Sequence, residues 1–192
     1  MVSNLGTYRI RTKIIMKNHF LLQERLRTKC PANLGLYIHI PFCRMRCQFC
    51  AFYVKPHYQE YVHSFLNGLA SELQAYGKLY GLNTIPVTSV YFGGGTPTIL
   101  SVKQLVAVFD DIERTFRLSA EAELSIEAHP DTINFENLTV LRSCGFNRLS
   151  MGAQSFDDHE LHQLGGRSAS KDNVKAFELA RQVGFKNINL DL

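Results

Sequence analysis

Three cysteines, Cys43, Cys47 and Cys50, form a C-x3-C-x2-C array within LYIHIPFCRMRCQFCAFY, residues 36–53. Thiolates are soft ligands suited to zinc or to iron–sulfur centres. A closed zinc site wants four ligands, commonly as paired C-x2-C knuckles, and only one pair here has that spacing. Three thiolates can instead hold three corners of a [4Fe–4S] cubane and leave the fourth iron open to an outside ligand. That is the chemistry the spacing favours. A zinc ion completed by His39 or Cys30, and plain unliganded thiols, are the competing readings. Arg44 and Arg46 would offset the negative charge of a thiolate-bound cluster. Phe42, Phe49 and Phe52 would shield it, and a dry shell tunes a cluster's potential.

A second candidate is the run Gly93-Gly94-Gly95 at the end of an apolar stretch. Without a Cβ, backbone can approach a ligand closely; Thr96 adds a hydroxyl and Pro97 stiffens the turn. No Gly-Lys-Ser/Thr follows, so this is not a P-loop. Glu127, Gln154 and Asp191 are further polar residues that fall just after apolar runs. His159 and His162, three residues apart, read as a solvated helix face rather than a metal or heme site, and so do His57 and His63.

These residues need elements to position them. LYIHI (36–40) reads as a strand, as do residues 87–92, 123–128, 148–152 and 187–192. Between them, residues 57–76 (Tyr61, Phe65, Leu69, Leu73), 101–116 (Ser101 as N-cap; Leu105, Val108, Phe109, Ile112), 135–144 (stopped by Gly145) and 172–183 (Val174, Phe177, Ala180, Val183) carry helical spacing. Such alternation implies parallel strands with right-handed crossovers, hence an α/β fold. The candidate chemistry falls at strand C-terminal ends, where both α/β barrels and doubly wound sheets place their sites. A barrel stopping at its fifth strand would keep an open edge, so the 192 residues are expected to be part of a longer protein.

Composition narrows the class. The net charge of +4 is uneven: residues 1–30 hold seven basic residues against Glu24 alone, whereas the remainder has 14 basic and 16 acidic residues. The body therefore lacks the electrostatic footprint of a nucleic-acid binder. No run is long and apolar enough for a membrane span. Five cysteines, three of them clustered, make a poor disulfide framework and a fair metal site in a reducing compartment such as the cytoplasm. Cys144, beside Gly145, reads as a buried structural thiol, and Cys30 as a spare. Residues 1–33 form a basic extension ahead of a core domain at 34–192. The extension lacks a secretory h-region, and reads as a frayed extension, an upstream start before Met16, or an organellar transit peptide.

With these motifs in hand, the chain resembles the radical S-adenosylmethionine (SAM) proteins. C-x3-C-x2-C with an aromatic before the third cysteine is their signature. YIHIPFC, VYFGGGTPT (90–98), EAHP (127–130), GFNRLSMGAQSFDD (145–158) and NLDL (189–192) resemble one branch, the oxygen-independent coproporphyrinogen III oxidases and the related heme chaperones. The likeness covers about residues 34–192. It implies a partial (β/α)6 TIM-type barrel truncated at about the fifth strand, a [4Fe–4S] cluster on Cys43, Cys47 and Cys50, and SAM bound through its amino and carboxylate groups to the open iron. It also implies that Tyr37, Phe49, Gly94, Gly95, Thr96, Glu127, Gln154, Arg167 and Asp191 contact SAM. A carboxylate near the sulfonium or ammonium and another on the ribose hydroxyls make electrostatic sense.

Two positions depart from the pattern. His129 stands where the family usually has Asn or Asp, and LGGRS (164–168) carries an extra glycine and lacks the histidine of L-G-R-x-H. A third position separates the branches. The oxidases usually carry another cysteine two residues after the third, and here that residue is Phe52, as in the chaperone-like branch. The resemblance thus implies a heme chaperone-like protein in porphyrin metabolism, with heme or a porphyrin and a heme-acceptor protein as partners. The alternative it implies is a coproporphyrinogen dehydrogenase-type oxidoreductase, in which one electron from a donor such as flavodoxin or ferredoxin cleaves SAM and propionate decarboxylation follows. A radical methyltransferase of the same subgroup is a lesser reading.

Overall fold

The computed structural model describes residues 32–79, 81–165 and 168–192. The basic leader, Cys30 and Arg167 lie outside the described residues. In chain order the elements are β1 (Leu34–Ile40), a short ladder of β2 (Phe42–Cys43) and β3 (Lys55–Pro56), α1 (Gln59–Leu79), β4 (Pro86–Gly94), α2 (Val102–Thr115), β5 (Arg117–Ala128), α3 (Phe135–Ser143), β6 (Arg148–Gly152), α4 (Asp158–Gln163), α5 (Ser170–Gln182) and β7 (Asn187–Asp191). The apolar runs become one sheet, in the order β1-β4-β5-β6-β7, with every pair parallel.

This order settles what the pattern alone left open. It follows the sequence with no reversal, so among the described residues there is no topological switch point of the doubly wound kind. Right-handed crossovers that all step the same way put their helices on one face. Accordingly α1 packs on α2, α2 on α3 and α3 on α5. The winding is that of a (β/α) barrel, and the five-stranded parallel α/β architecture agrees with the sequence reading.

The two faces of the sheet differ in chemistry because side chains alternate along a strand. One set, including Leu36, Ile38, Ile40, Val90, Phe92, Leu124, Ile126 and Leu149, enters a single apolar core with Phe65, Leu69 and Leu73 of α1, Leu105, Val108, Phe109 and Ile112 of α2, and Leu138 and Leu141 of α3. The alternate set is polar. Register aligns Tyr37, Tyr91, Ser125 and Arg148 in one row, and Glu127, Ser150 and Asn189 in the next.

Several local expectations hold and some shift. Ser101 caps α2 in a reciprocal capping box with Gln104. Gly145 follows α3 with φ 94°, a left-handed conformation suited to glycine. In α1 the buried stripe begins at Val62 rather than Tyr61, which is 46% exposed. A strict four-residue spacing drifts around a helix of 3.6 residues per turn, and Val62, three before Phe65, restores the face. In α5 the buried positions are Asn173, Ala176 and Ala180, whereas Val174 is exposed. β5 begins at Arg117, six residues earlier than the apolar run suggested, and a register irregularity between Val87 and Ser89 accommodates the added pairing. Cys144 is only half-buried, at the C-cap of α3, not fully buried as expected.

Phe146 joins the sheet to the helix layer. It is 1% exposed and meets Phe92 edge-on (centroids 5.3 Å, 66°) and Phe109 at 5.5 Å. Phe146→Ala is expected to destabilise the fold by about 3–5 kcal/mol, and Ser101→Ala by about 1 kcal/mol. Denaturant titration should therefore show a far larger midpoint shift for the first variant, and equal shifts would contradict this account of the core.

Candidate functional site

The C-terminal ends of the strands surround a cavity of about 520 Å³. The cysteine loop forms one wall. Past Ile40, Phe42 and Cys43 pair as β2 with Lys55 and Pro56 of β3, so the loop carrying Cys47 and Cys50 is pinned at both ends. A turn closes it, with the Cys50 N–H donating to the Cys47 carbonyl at 3.2 Å. The Arg46 guanidinium donates to the Cys50 carbonyl at 3.3 Å. All three cysteines are half-buried and line the cavity.

The glycine loop lies directly against this wall. Gly95 N–H donates to the Ile40 carbonyl and Thr96 N–H to the Phe42 carbonyl, both at 2.8 Å. A Cβ on Gly95 would stand 2.6 Å from the Phe42 carbonyl oxygen and 3.0 Å from Cys43 Sγ; on Gly94 (φ 120°) it would strike the His39 ring at 2.6 Å. Only glycine fits either place. The Thr96 hydroxyl is 3.6 Å from Cys43 Sγ. Burial pushes the Cys43 thiol up, the Thr96 contact opposes this, and neighbouring Cys47 and Cys50 add to it.

Two carboxylates face the same space, and each has both oxygens engaged. Glu127 accepts from the Tyr91 hydroxyl at 2.9 Å and from the Gly94 N–H at 3.0 Å. Asp191 accepts from the Asn189 amide at 2.7 Å and from the Ser150 hydroxyl at 3.3 Å. Fixed carboxylates of this kind can take an ammonium or a pair of hydroxyls without first reorganising.

Gln154 also lines the cavity, with φ 66°. A non-glycine residue in that region persists where its surroundings over-determine it. Its own N–H donates to the Asp191 carbonyl at 2.8 Å. On either side, the Ala153 and Ser155 carbonyls both accept from the Asn173 amide at 2.8 Å. The buried asparagine on the inner face of α5 therefore holds the Gln154 loop in place.

At the cavity edge, Arg44 pairs with Asp131 at 3.1 Å. His129 Nδ1 lies 2.6 Å from the other Asp131 oxygen, and His129 caps the short 3-10 turn Pro130–Thr132. The departure at His129 thus ties the cysteine loop to the end of β5.

Of the site residues read from the sequence, Cys43, Cys47, Cys50, Phe49, Gly94, Gly95, Thr96, Glu127, Gln154 and Asp191 all line this one cavity. Tyr37 does not. It stacks on Tyr91 (5.8 Å, 23°), which does line it, and its hydroxyl meets His39 at 3.4 Å. Arg167 lies outside the described residues. Sequence reading missed Tyr91, Arg148, Ser150, Asn189 and Asn173. The first four were detectable as polar residues alternating with apolar ones inside runs that read as uniformly apolar.

Two expectations need correction. Phe49 and Phe52 are 47% and 70% exposed and so do not form a dry shell; Phe42 is fully buried beneath the loop. His57 is not on a solvated helix face. It precedes α1, sits edge-on to Phe42 at 6.3 Å, and its Nε2 is buried without a partner. Burial, then the Arg44 charge, lowers its pKa. His63, His159 and His162 are exposed as expected.

The donor set fits a cluster. Three thiols face one cavity, beside a glycine cradle with no room for a Cβ. Among the described residues, no three His, Cys, Asp or Glu side chains converge as for a single ion. In a cubane each thiolate takes its own iron, so the sulfurs need not converge.

Known proteins resemble this chain over most of its length. The heme chaperone HemW of Bacillus subtilis is 40% identical over 163 residues, covering 81% of this chain and 41% of that protein. The oxygen-independent coproporphyrinogen III oxidase of Escherichia coli is 36% identical over 161 residues, covering 83% and 35%. The solved structure of coproporphyrinogen III oxidase (HemN) from E. coli, described as a radical SAM enzyme, superposes with a TM-score of 0.83 at 32% identity, covering 92% of this chain and 40% of that one. The chain thus spans less than half the length of these relatives. Residues 37–192 match the model of the Radical SAM superfamily, and the chain belongs to that family, which implies a [4Fe–4S] cluster and SAM as its cofactors.

Proposed function

We propose that this chain is a heme chaperone-like radical SAM protein, which binds a [4Fe–4S] cluster and SAM and transfers heme to an acceptor protein. The observation that carries the choice of branch is Phe52. It occupies the place where the oxidase-type pattern has a further thiol, and it lines the cavity with 70% of its surface exposed. The second reading, an oxygen-independent coproporphyrinogen III oxidase, is favoured by the close superposition on HemN. It would need a one-electron donor such as flavodoxin or ferredoxin.

The roles divide by chemistry. Cys43, Cys47 and Cys50 supply thiolates. Gly94 and Gly95 offer backbone to the methionine moiety of SAM, with the Thr96 hydroxyl beside Cys43. Glu127, held against the glycine loop, would take the SAM ammonium, and Asp191 the ribose hydroxyls. Phe49, Gln154, Tyr37 and Arg167 complete the proposed contacts. When bound, the cluster supplies the electron that reduces the sulfonium. The Arg44–Asp131–His129 chain holds the cysteine loop in register with β5. Among the described residues no helix is long and apolar enough to cross a membrane. A cytoplasmic location is proposed, with an organellar transit peptide in residues 1–30 as the alternative.

Anaerobic reconstitution should yield about four irons per chain, lost in Cys43→Ala; zinc without acid-labile sulfide would overturn the cluster. Loading also has a sign with pH. Cys43 must bind as thiolate, and burial holds its pKa above the ordinary value, so iron incorporation should rise as pH increases from about 7 to about 9. A profile that falls over this range would contradict ligation by Cys43. Finally, tight heme binding without turnover of coproporphyrinogen is expected, measured by Soret titration and product chromatography. Formation of protoporphyrinogen would replace the chaperone reading with the oxidase one.

A further inference from the structure

Tyr91 lines the cavity in direct contact with Glu127. It belongs to β4, three residues before Gly94, and its hydroxyl donates to Glu127 Oε1 at 2.9 Å. The Ser150 hydroxyl, in the neighbouring row, is committed elsewhere: it donates to Asp191 Oδ2 at 3.3 Å and accepts from the Asn189 amide at 3.1 Å. The Tyr91 ring is fixed independently of its bond to Glu127. It stacks on Tyr37 at 5.8 Å, the Arg148 guanidinium lies 5.9 Å from its centroid, and its backbone pairs with Tyr37 and Ser125 in the neighbouring strands. Burial first, and then the Glu127 charge, push the hydroxyl up to about 12. It therefore remains protonated, and remains a donor, throughout the neutral range.

A carboxylate can rotate, and the Gly94 N–H alone fixes one oxygen of Glu127. The second bond removes that freedom for a carboxylate that lines the cavity. We propose that Tyr91 is a positioning residue for SAM recognition, acting through Glu127, so that this carboxylate is held before SAM arrives. This rests on the reading of Glu127 as a SAM ligand. Pre-organisation of this kind raises affinity by removing an ordering cost that binding would otherwise carry.

Tyr91→Phe removes the hydroxyl and keeps the ring, its stacking and the strand pairing. The test is SAM affinity, by equilibrium dialysis under anaerobic conditions, of cluster-reconstituted wild type, Tyr91→Phe, Glu127→Ala and the double variant. Tyr91→Phe should weaken binding roughly tenfold, the scale of one hydrogen bond to a charged group, with iron content and thermal midpoint unchanged. In the Glu127→Ala background the same substitution should cost nothing further. That non-additivity is a readout a packing role would not produce. Undiminished affinity in Tyr91→Phe overturns the proposal, as does a full tenfold loss persisting without Glu127. Loss of cluster or fold in Tyr91→Phe would give the hydroxyl a structural role and also overturn it. Glu127→Ala binding as tightly as wild type would remove Glu127 from the ligand set, taking the proposal with it. Failure of wild type to bind SAM would instead overturn the underlying functional reading, and the wild-type arm alone reveals that.

Discussion

The site depends on backbone contact between two loops far apart in sequence. β1 and β4 pair along their length, and the pairing continues past the strand ends: Gly95 and Thr96 donate their N–H groups to the carbonyls of Ile40 and Phe42. Hydrogen bonds at this separation need the glycine backbone to sit where a side chain cannot, because a Cβ on Gly95 would collide with the Phe42 carbonyl and crowd Cys43 Sγ. Cys43 is thereby placed by main-chain geometry, which is stiffer than side-chain packing. β2 and β3 extend the same logic to the far end of the cysteine loop. A loop of thiols that had to find its own conformation would bear the ordering cost when it met iron; here much of that order is already in the fold.

The second constraint is the polar inner face of the sheet. The interior of an ordinary (β/α) barrel is filled by bulky branched side chains in layers. Here the corresponding rows hold Tyr91, Ser125, Arg148, Glu127, Ser150 and Asn189. Such groups are costly to enclose unless each finds a partner, and they do: Tyr91 with Glu127, Arg148 with Ser125 at 3.4 Å, and Ser150 and Asn189 with Asp191. The helix-covered face meanwhile is almost wholly apolar. Stability comes from one face of each strand and chemistry from the other, so polar substitutions inside the cavity are decoupled from the core that holds it.

Much of this was legible from residues alone, for identifiable reasons. The cysteine spacing, the triple glycine and the strand-end positions of Glu127, Gln154 and Asp191 are local patterns, and the fold brings all of them to one cavity. Strand order was less accessible. Alternating strands and helices fit either winding, and only the hydrogen-bonded sequence of strands distinguishes them. The partners of the carboxylates were hidden differently. Tyr91 and Ser150 lie inside short runs whose apolar neighbours dominate the pattern. A period of two within a parallel strand, where both faces are usually apolar, is the signal that one face serves something other than a core. Asn173 carried no comparable signal. It occupies an apolar-stripe position of α5, and nothing in the local sequence indicates the two carbonyls, 18 and 20 residues away, that it satisfies.

The departure at His129 changes which groups hold the turn after β5. An Asn or Asp there would cap the turn that follows β5, since both side chains accept backbone N–H groups. Here the backbone holds the turn instead: the His129 N–H donates to the Thr132 hydroxyl at 3.3 Å, and the Thr132 N–H donates to the His129 carbonyl at 2.9 Å. Thr132 also meets Thr98 at 2.6 Å, joining this turn to the one after the glycine loop. Histidine adds a contact with the Asp131 carboxylate, which faces Arg44 with its other oxygen. Nδ1 of the ring donates to the acid that pairs with the arginine next to Cys43. The turn is thus kept by the main chain, while the ring joins the β5 end to the loop whose geometry the thiols require.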